Sequence, residues 1–316
     1  MSRGPSLTIG LPVYNGEQYL SQALESILGQ SYRDFELLVS DNASTDRTRE
    51  ICLDFAAMDR RLRYVRNTSN LGAAENYNRV FRASGSKYFK WATHDDMYAP
   101  TFLERCVAVL ESDPSAVLCF APAIFIDEEG NEIDRYADEL DFAHPNRYRR
   151  FRSWVLERSV GWCHPITGVI RSDVLGRTRL IGKYVGSDGV LIAELALWGG
   201  LARVDEFLFY RREHAGRSAA VNRTVEDLTA WYDSSAPRGR IYLPNWRWGA
   251  EYTKALLRVP MPLREKLACS RVMLRWYAWQ RVRLSREMSR WLNHSIVSRP
   301  GRRRGGEENA THGQRS

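Results

Sequence analysis

Between residues 7 and 126 the chain alternates, and that alternation limits the folds open to it more than any other feature. LTIGLPV (7–13) reads as a buried strand, and GEQYLSQALESILGQ (16–30) sets Leu20, Ala23, Leu24, Ile27 and Leu28 at helical spacing. FELLVSD (35–41) is a second strand, and Ser44 or Asp46 caps a helix running to about Met58. RLRYVRN (61–67) is a third strand, AAENYNRVFRAS (73–84) a helix, YFKWATH (88–94) a fourth strand, 100–111 a helix and 116–126 an apolar strand. Strands alternating with helices over short connections predict an α/β protein with a mostly parallel, Rossmann-like sheet flanked by helices. Ligands of such sheets bind beyond the carboxyl ends of the strands. Pro12-Val13-Tyr14-Asn15, Asp41-Asn42 and His94-Asp95-Asp96 all fall there.

The second half is less regular. A basic, aromatic helix is expected over 147–158, a Pro- and Gly-containing loop entering a short strand over 161–175, and a helix from Ser187 or Asp188 to Trp198. LARVDEFLFYRR (201–212) reads as one strand, followed by a loop at HAGRS. A long helix is expected from Leu263 to Ile296, with Tyr277, Leu284, Met288, Trp291 and Leu292 on one stripe. The segment 299–316 lacks the apolar content to fold and is expected to be disordered.

Charge is distributed unevenly. The chain carries +8 in total, yet Leu263–Ser316 alone has 13 Arg or Lys against 4 Glu, a net +9, which leaves 1–262 at −1. Trp276, Trp279 and Trp291 lie in this segment, among eight basic residues between Arg264 and Arg290. Two readings stand: a helix packed on the rest of the protein with a solvated Arg face, or a peripheral membrane contact through 263–296. The charge would also suit nucleic acid, but without a recognised binding motif no specific nucleic-acid partner is expected.

Several classes are disfavoured. Neither GxGxxG after the first strand nor GxxxxGK[ST] occurs, which argues against a classical dinucleotide site and a P-loop. The five cysteines include no CxxC pair, and no apolar run is long enough to span a bilayer. MSRGPSLTIGLPVY enters a strand too early to leave room for a signal peptide. A cytoplasmic protein is expected, with the cytoplasmic face of a membrane as an alternative location.

Asp95 and Asp96 pose an electrostatic problem, because adjacent like charges repel and are costly to desolvate. A divalent cation, Mg²⁺ or Mn²⁺, bound through Asp96 and carrying a substrate diphosphate would solve it. The competing reading is that the pair caps a helix beginning near Pro100.

The segment LTIGLPVYNGEQYLSQALESILGQSYRDFELLVSDNASTDRT, followed by NLGAAENYN and HDDMYAP, resembles a family 2 glycosyltransferase with the A-type glycosyltransferase fold. The likeness runs over roughly 1–215 and implies a nucleotide half at about 1–127 and an acceptor half at about 128–215; the basic helical extension expected at 216–298 and the 299–316 tail lie beyond it. It implies an inverting glycosyltransferase acting from a nucleoside-diphosphate sugar, of UDP or dTDP type, on an acceptor glycan or glycolipid, in cell-surface polysaccharide or glycolipid synthesis. The alternatives are a nucleotidyltransferase on sugar phosphates and a non-catalytic membrane-surface binder.

Site roles follow from the same resemblance. Pro12, Tyr14 and Asn15 would line the nucleotide pocket, Asp41 would meet the base, and Asp95 would lie near the ribose or sugar. Asp96 would bind the metal, with His214 as a further ligand, and Arg211 and Arg217 would face the diphosphate. Asp188 would be the general base, although capping its own helix explains it equally well. The family's metal motif is Asp-any-Asp, and here His94 holds its first place; Ser187 stands where a Glu is usual. Trp162 and His164 lie in the acceptor-side loop, where packing is as good an explanation as sugar contact.

Overall fold

A computed structural model describes residues 4–137, 142–157 and 164–297. In chain order the elements are β1 (Leu7–Val13), α1 (Leu20–Leu28), β2 (Phe35–Asp41), α2 (Thr48–Met58), β3 (Leu62–Arg66), α3 (Ala73–Arg82), β4 (Tyr88–Trp91), β5 (Met97–Tyr98), α4 (Phe102–Ser112), β6 (Ala116–Phe120), β7 (Ala123–Ile126) and β8 (Glu132–Tyr136). Then follow α5 (Arg147–Arg152), β9 (Val169–Arg171), α6 (Ser172–Leu175), α7 (Ser187–Trp198), β10 (Gly200–Arg203), β11 (Phe209–Arg212), α8 (Ser218–Val221), α9 (Val225–Tyr232), α10 (Pro244–Arg258) and α11 (Leu263–Val297).

A seven-stranded sheet runs β10-β6-β9-β4-β1-β2-β3. Its pairs are parallel except those of β9, which lies antiparallel between β4 and β6. Alternate residues of each strand feed opposite faces. Leu37 and Val39 enter one core with α1, α2 and α4, while Leu38 enters the other with α3 and α7. Pro12 is tolerated in a central strand because the pairing of β1 with β4 has already ended at Gly10.

The structure departs from the sequence reading at three strands. Residues 116–126 and 201–212 each split into two strands. β6 and β10 stay in the large sheet, whereas β7 and β11 join a separate four-stranded sheet, β5-β11-β7-β8. Pro122 falls in the first break, and the stretch between β10 and β11 makes the second. The fourth strand stops at Trp91, so Thr93–Asp96 form a turn between the two sheets.

Residues 244–297 complete the core. α7 buries ten of its twelve residues, leaving no polar face, and a helix apolar all round needs cover on every side. α10 and α5 pack on it, α11 packs on both of them in turn, and Tyr252, Leu256, Val272, Met273 and Trp276 join the same core. The buried stripe of α11 is Cys269, Val272, Met273, Trp276, Gln280, Leu284 and Glu287. Trp291 and Leu292, assigned to the stripe from sequence, are exposed. No helix among the described residues is long and apolar enough to cross a membrane. The 299–316 tail lies outside the described residues.

Candidate active site

The turn after β4 carries the two adjacent acids. Asp96 is 8% exposed. One of its oxygens accepts the Thr93 hydroxyl at 2.6 Å and the other the backbone N–H of Arg212 at 3.0 Å. Asp95 Oδ2 lies 3.1 Å from His214 Nε2, and that ring packs edge-on against Tyr19. Burial opposes charge on both carboxylates. At Asp95 it is outweighed by His94 and by the bond to His214, which hold the carboxyl well below the usual range. At Asp96 burial, and then the charge of Asp95, push the carboxyl up to about 7.

Arg212, which the sequence reading passed over, locks this turn. Its side chain is buried; it donates to the carbonyls of Asp95, Asp127 and Glu128 at 3.2, 3.0 and 2.8 Å and to Gln22 Oε1 at 2.6 Å, and it sits over the Tyr19 ring. Neighbouring residues on a strand face opposite ways, so one arginine of FLFYRREH had to point inward. Arg211 pairs with Glu213 at 3.7 Å, and Glu213 also pairs with Arg217. The Arg211 charge favours ionised Asp96, and the Arg217 guanidinium interacts with Asp96 and Asp95 in turn. Asp95, Asp96, His214, Arg211 and Arg217 thus form one charged neighbourhood.

The loops after β1 and β2 bind each other. Asn15, at φ +51°, donates its N–H to Ser44 Oγ and accepts Thr45 N–H on its side-chain oxygen, both at 2.9 Å. Gly16 donates to Thr48 Oγ1 at 2.8 Å, and a Cβ there would lie 2.8 Å from the His94 ring. Pro12 is buried beneath this turn while Tyr14 is exposed. Asp41 is fully buried and accepts from Ser44 N–H, the Tyr64 hydroxyl and Arg66 at 2.8, 2.6 and 3.3 Å. It makes no hydrogen bond to the Asp95–Asp96 turn among the bonds of the described residues.

Asp188 occupies the first turn of α7, two residues after Gly186, whose φ is +75°. A helix N-terminus favours a negative charge. Tyr77 on α3, also missed from sequence, links this acid to the others: burial, then Asp95, Asp96 and Asp188, all push its hydroxyl up. The loop before Asp188 is held from the C-terminal side. Trp248 of α10 donates its indole N–H to the Val185 carbonyl at 2.6 Å, and a Cβ on Gly186 would meet that indole at 2.9–3.0 Å. Trp162 lies outside the described residues.

Among the described residues no three His, Cys, Asp or Glu side chains gather as a metal-ligand set. The turn instead offers two carboxylates, one of them held near 7 by burial beside its negative neighbour. Hard oxygen donors in that state fit a divalent cation that takes its other ligands from phosphate and water. His214 would have to exchange its bond to Asp95 in order to ligate.

The computed structure resembles solved ones. It matches S. aureus TarS 1-349 in complex with UDP-GlcNAc with a TM-score of 0.66 at 15% identity, covering 91% of this chain and 79% of that one. It matches the mannosyltransferase PcManGT from Pyrobaculum calidifontis, in complex with GDP-Man and Mn²⁺, with a TM-score of 0.54 at 15% identity, covering 95% and 77%. At such identity the likeness shows the fold, the A-type glycosyltransferase fold. Among curated relatives, an uncharacterized glycosyltransferase of Rickettsia typhi is 30% identical over 41% of this chain and 40% of its own length. One of Methanocaldococcus jannaschii is 30% identical over 58% and 61%. The chain thus spans less than two thirds of the length of either; for one of Haemophilus influenzae, 25% identical, the shares are 73% and 72%. The model of glycosyl transferase family 2 matches residues 8–176, more than half of the chain, and the chain belongs to that family.

Proposed function

We propose that this protein is an inverting glycosyltransferase that moves a sugar from a nucleoside-diphosphate sugar, of UDP or dTDP type, to an acceptor hydroxyl. One observation carries the reading: in a chain of this family, the turn beyond β4 holds Asp95 and Asp96 against His214, Thr93 and the Arg212 backbone, and the charge of Asp188, at the start of α7, reaches the same Tyr77 hydroxyl as theirs. Tyr14 and Asn15 meet the nucleotide above buried Pro12. A carboxylate has about four acceptor positions; Asp41 is fully buried and uses three of them, so the imide N–H of uracil or thymine would reach it once the Arg66 side chain gives way.

Asp188 accepts the acceptor's proton as the new bond forms at the anomeric carbon and the bond to the diphosphate breaks on the opposite face. Arg211 and Arg217 stabilise the charge that develops on the leaving group. A divalent cation held by Asp96, with Asp95 beside it and His214 as a further ligand, would supply Lewis-acid stabilisation of the same diphosphate. The assay is nucleoside diphosphate release from a panel of nucleotide-sugars, with Mn²⁺ and with chelator. Triphosphate consumption with pyrophosphate release would instead identify a nucleotidyltransferase.

A lipid-borne acceptor at the cytoplasmic face of a membrane, as in cell-surface polysaccharide or glycolipid synthesis, extends this reading. Both glutamates of α11 are tied to other elements. Glu265 pairs with Arg147 at 2.8 Å, and Glu287 accepts from Asn245 and from the Trp246 N–H. The outer face carries exposed Leu263, Leu267, Leu274 and Trp279 among exposed Arg264, Arg271, Arg275 and Arg286. Apolar side chains set among unopposed cations suit an anionic bilayer. Sedimentation with phosphatidylglycerol vesicles but not with phosphatidylcholine vesicles is the expected result.

A further inference from the structure

Beside the loop that leads to Asp188 lies a cavity of about 830 Å³, bordered by Lys183–Val185, α9, the 238–243 segment, the start of α10 and the end of α11. That volume falls in the range of small-molecule sites. No carboxylate is among its lining residues, whereas Lys183, Arg238, Arg240 and Arg247 are. Lys183 is paired with Asp233 at 3.3 Å and Arg247 with Glu251 at 3.2 Å. Arg238 and Arg240 are exposed and have no ion-pair partner among the described residues.

Two large aromatics share the lining. Trp246 and Trp291 are 38% and 43% exposed. Trp246 is anchored by its indole N–H on the Leu284 carbonyl at 3.0 Å, so its exposure is built into the fold. Indole faces stack on the C–H faces of sugar rings, and guanidinium groups are the preferred partners of phosphate. The cavity wall includes the segment that leads to the proposed base: Val185 is held by Trp248 and precedes Asp188 by three residues, and the charge of Asp188 is felt at the Tyr184 hydroxyl in the same wall.

We infer that this cavity is the acceptor site and that the acceptor is a phosphorylated sugar, its ring against Trp246 and Trp291 and its phosphate against Arg238 and Arg240. This rests on the reading of Asp188 as the base of a glycosyltransferase. The test is calorimetric titration of the full chain, in chelator and without donor, with glucose 1-phosphate and with glucose. Glucose 1-phosphate is expected to bind at least about tenfold more tightly, a gain in keeping with charge-assisted bonds. Arg238→Ala/Arg240→Ala is expected to lose about that factor while its Tm stays unchanged, and Arg238→Lys/Arg240→Lys to retain much of it. A short-chain prenyl glucosyl diphosphate separates the sources. Tighter binding than glucose 1-phosphate places the phosphate on a lipid carrier, and equal binding places it on a soluble or polymeric sugar phosphate; both support the phosphate chemistry. Equal affinity for glucose and glucose 1-phosphate, no binding of either, or unaltered affinity in the alanine variant overturns the inference. Titration of UDP with Mn²⁺ tests the donor reading separately, so its failure is distinguishable from failure at the cavity.

Discussion

The carboxylate turn and the C-terminal cavity hold their charges in opposite ways. Around Asp95 and Asp96 the charged groups are largely enclosed and partnered: Asp96 by Thr93 and Arg212, Asp95 by His214, and Arg212 by three carbonyls and Gln22. Around the cavity, Arg238 and Arg240 stand in solvent. A buried acid pair is tolerable only where partners fix it, and that makes the turn rigid before any ligand arrives. Exposed arginines need no partner and accept anions of varied shape. On the proposed reading, the donor side is built for one geometry and the acceptor side for one kind of charge.

The largest effect is expected between the two regions, at Asp188. Asn is nearly isosteric with Asp, and α7 is capped at Gly186 with no side-chain capping bond, so Asp188→Asn removes the proposed base without removing a cap. Turnover is expected to fall by roughly a thousandfold, within the span of general-base losses, with the donor KM little changed. Unchanged turnover would leave Asp188 only its favourable place in the first turn of α7 and break the link between donor turn and cavity. Next comes Arg212→Ala, which strips donors from three carbonyls at once. A loss of about 3–5 kcal/mol, as for other broken buried partnerships, should lower Tm by on the order of 10 °C. Arg211→Ala, one residue away on the opposite face with its side chain about a fifth exposed, should lower Tm less than Arg212→Ala and slow turnover.

What the sequence made legible divides along the same line. Strands such as LTIGLPV are buried on both faces, and all seven residues of β1 are buried, so local pattern and tertiary place agree. The turn with Asp95 and Asp96 was visible because it is one short segment at a strand end. Arg212 and Tyr77 were not, because their roles depend on which face of β11 or α3 turns inward, and that is settled by strands far away in sequence. The split of 116–126 was hidden because an apolar run looks the same whether it stays in one sheet or passes to another. The cavity draws on four separate stretches of chain, of which only the basic, Trp-bearing helix carried a local signal.

Gly186 sharpens the comparison at moderate cost. A Cβ at φ +75° carries a left-handed penalty of about 1–2 kcal/mol and also meets the Trp248 indole at 2.9–3.0 Å. Gly186→Ala should lower Tm by several degrees and reduce turnover more than it weakens UDP binding, because the strain falls on the loop entering Asp188. Equal losses in both would mean that donor turn and cavity move as one body.

The smallest expected effect concerns protons at Asp96. Its carboxyl is raised from 3.8 to about 7 by burial and then by Asp95. In the cation-free protein it therefore keeps its proton where the unfolded chain has lost it, so stability falls as pH rises from about 4 to about 7 and then levels. Asp95, held low, stays ionised across that window and adds no slope. A cation at Asp96 must displace the proton below pH 7, so Mn²⁺ affinity should drop by about tenfold per pH unit there and be flat above. The thermal shift produced by Mn²⁺ should accordingly be larger at pH 8 than at pH 6, and Asp96→Asn should abolish both the shift and its pH dependence. A shift that is the same at both pH values would place the cation away from Asp96, and the partnered turn would then be a structural brace with no metal to hold.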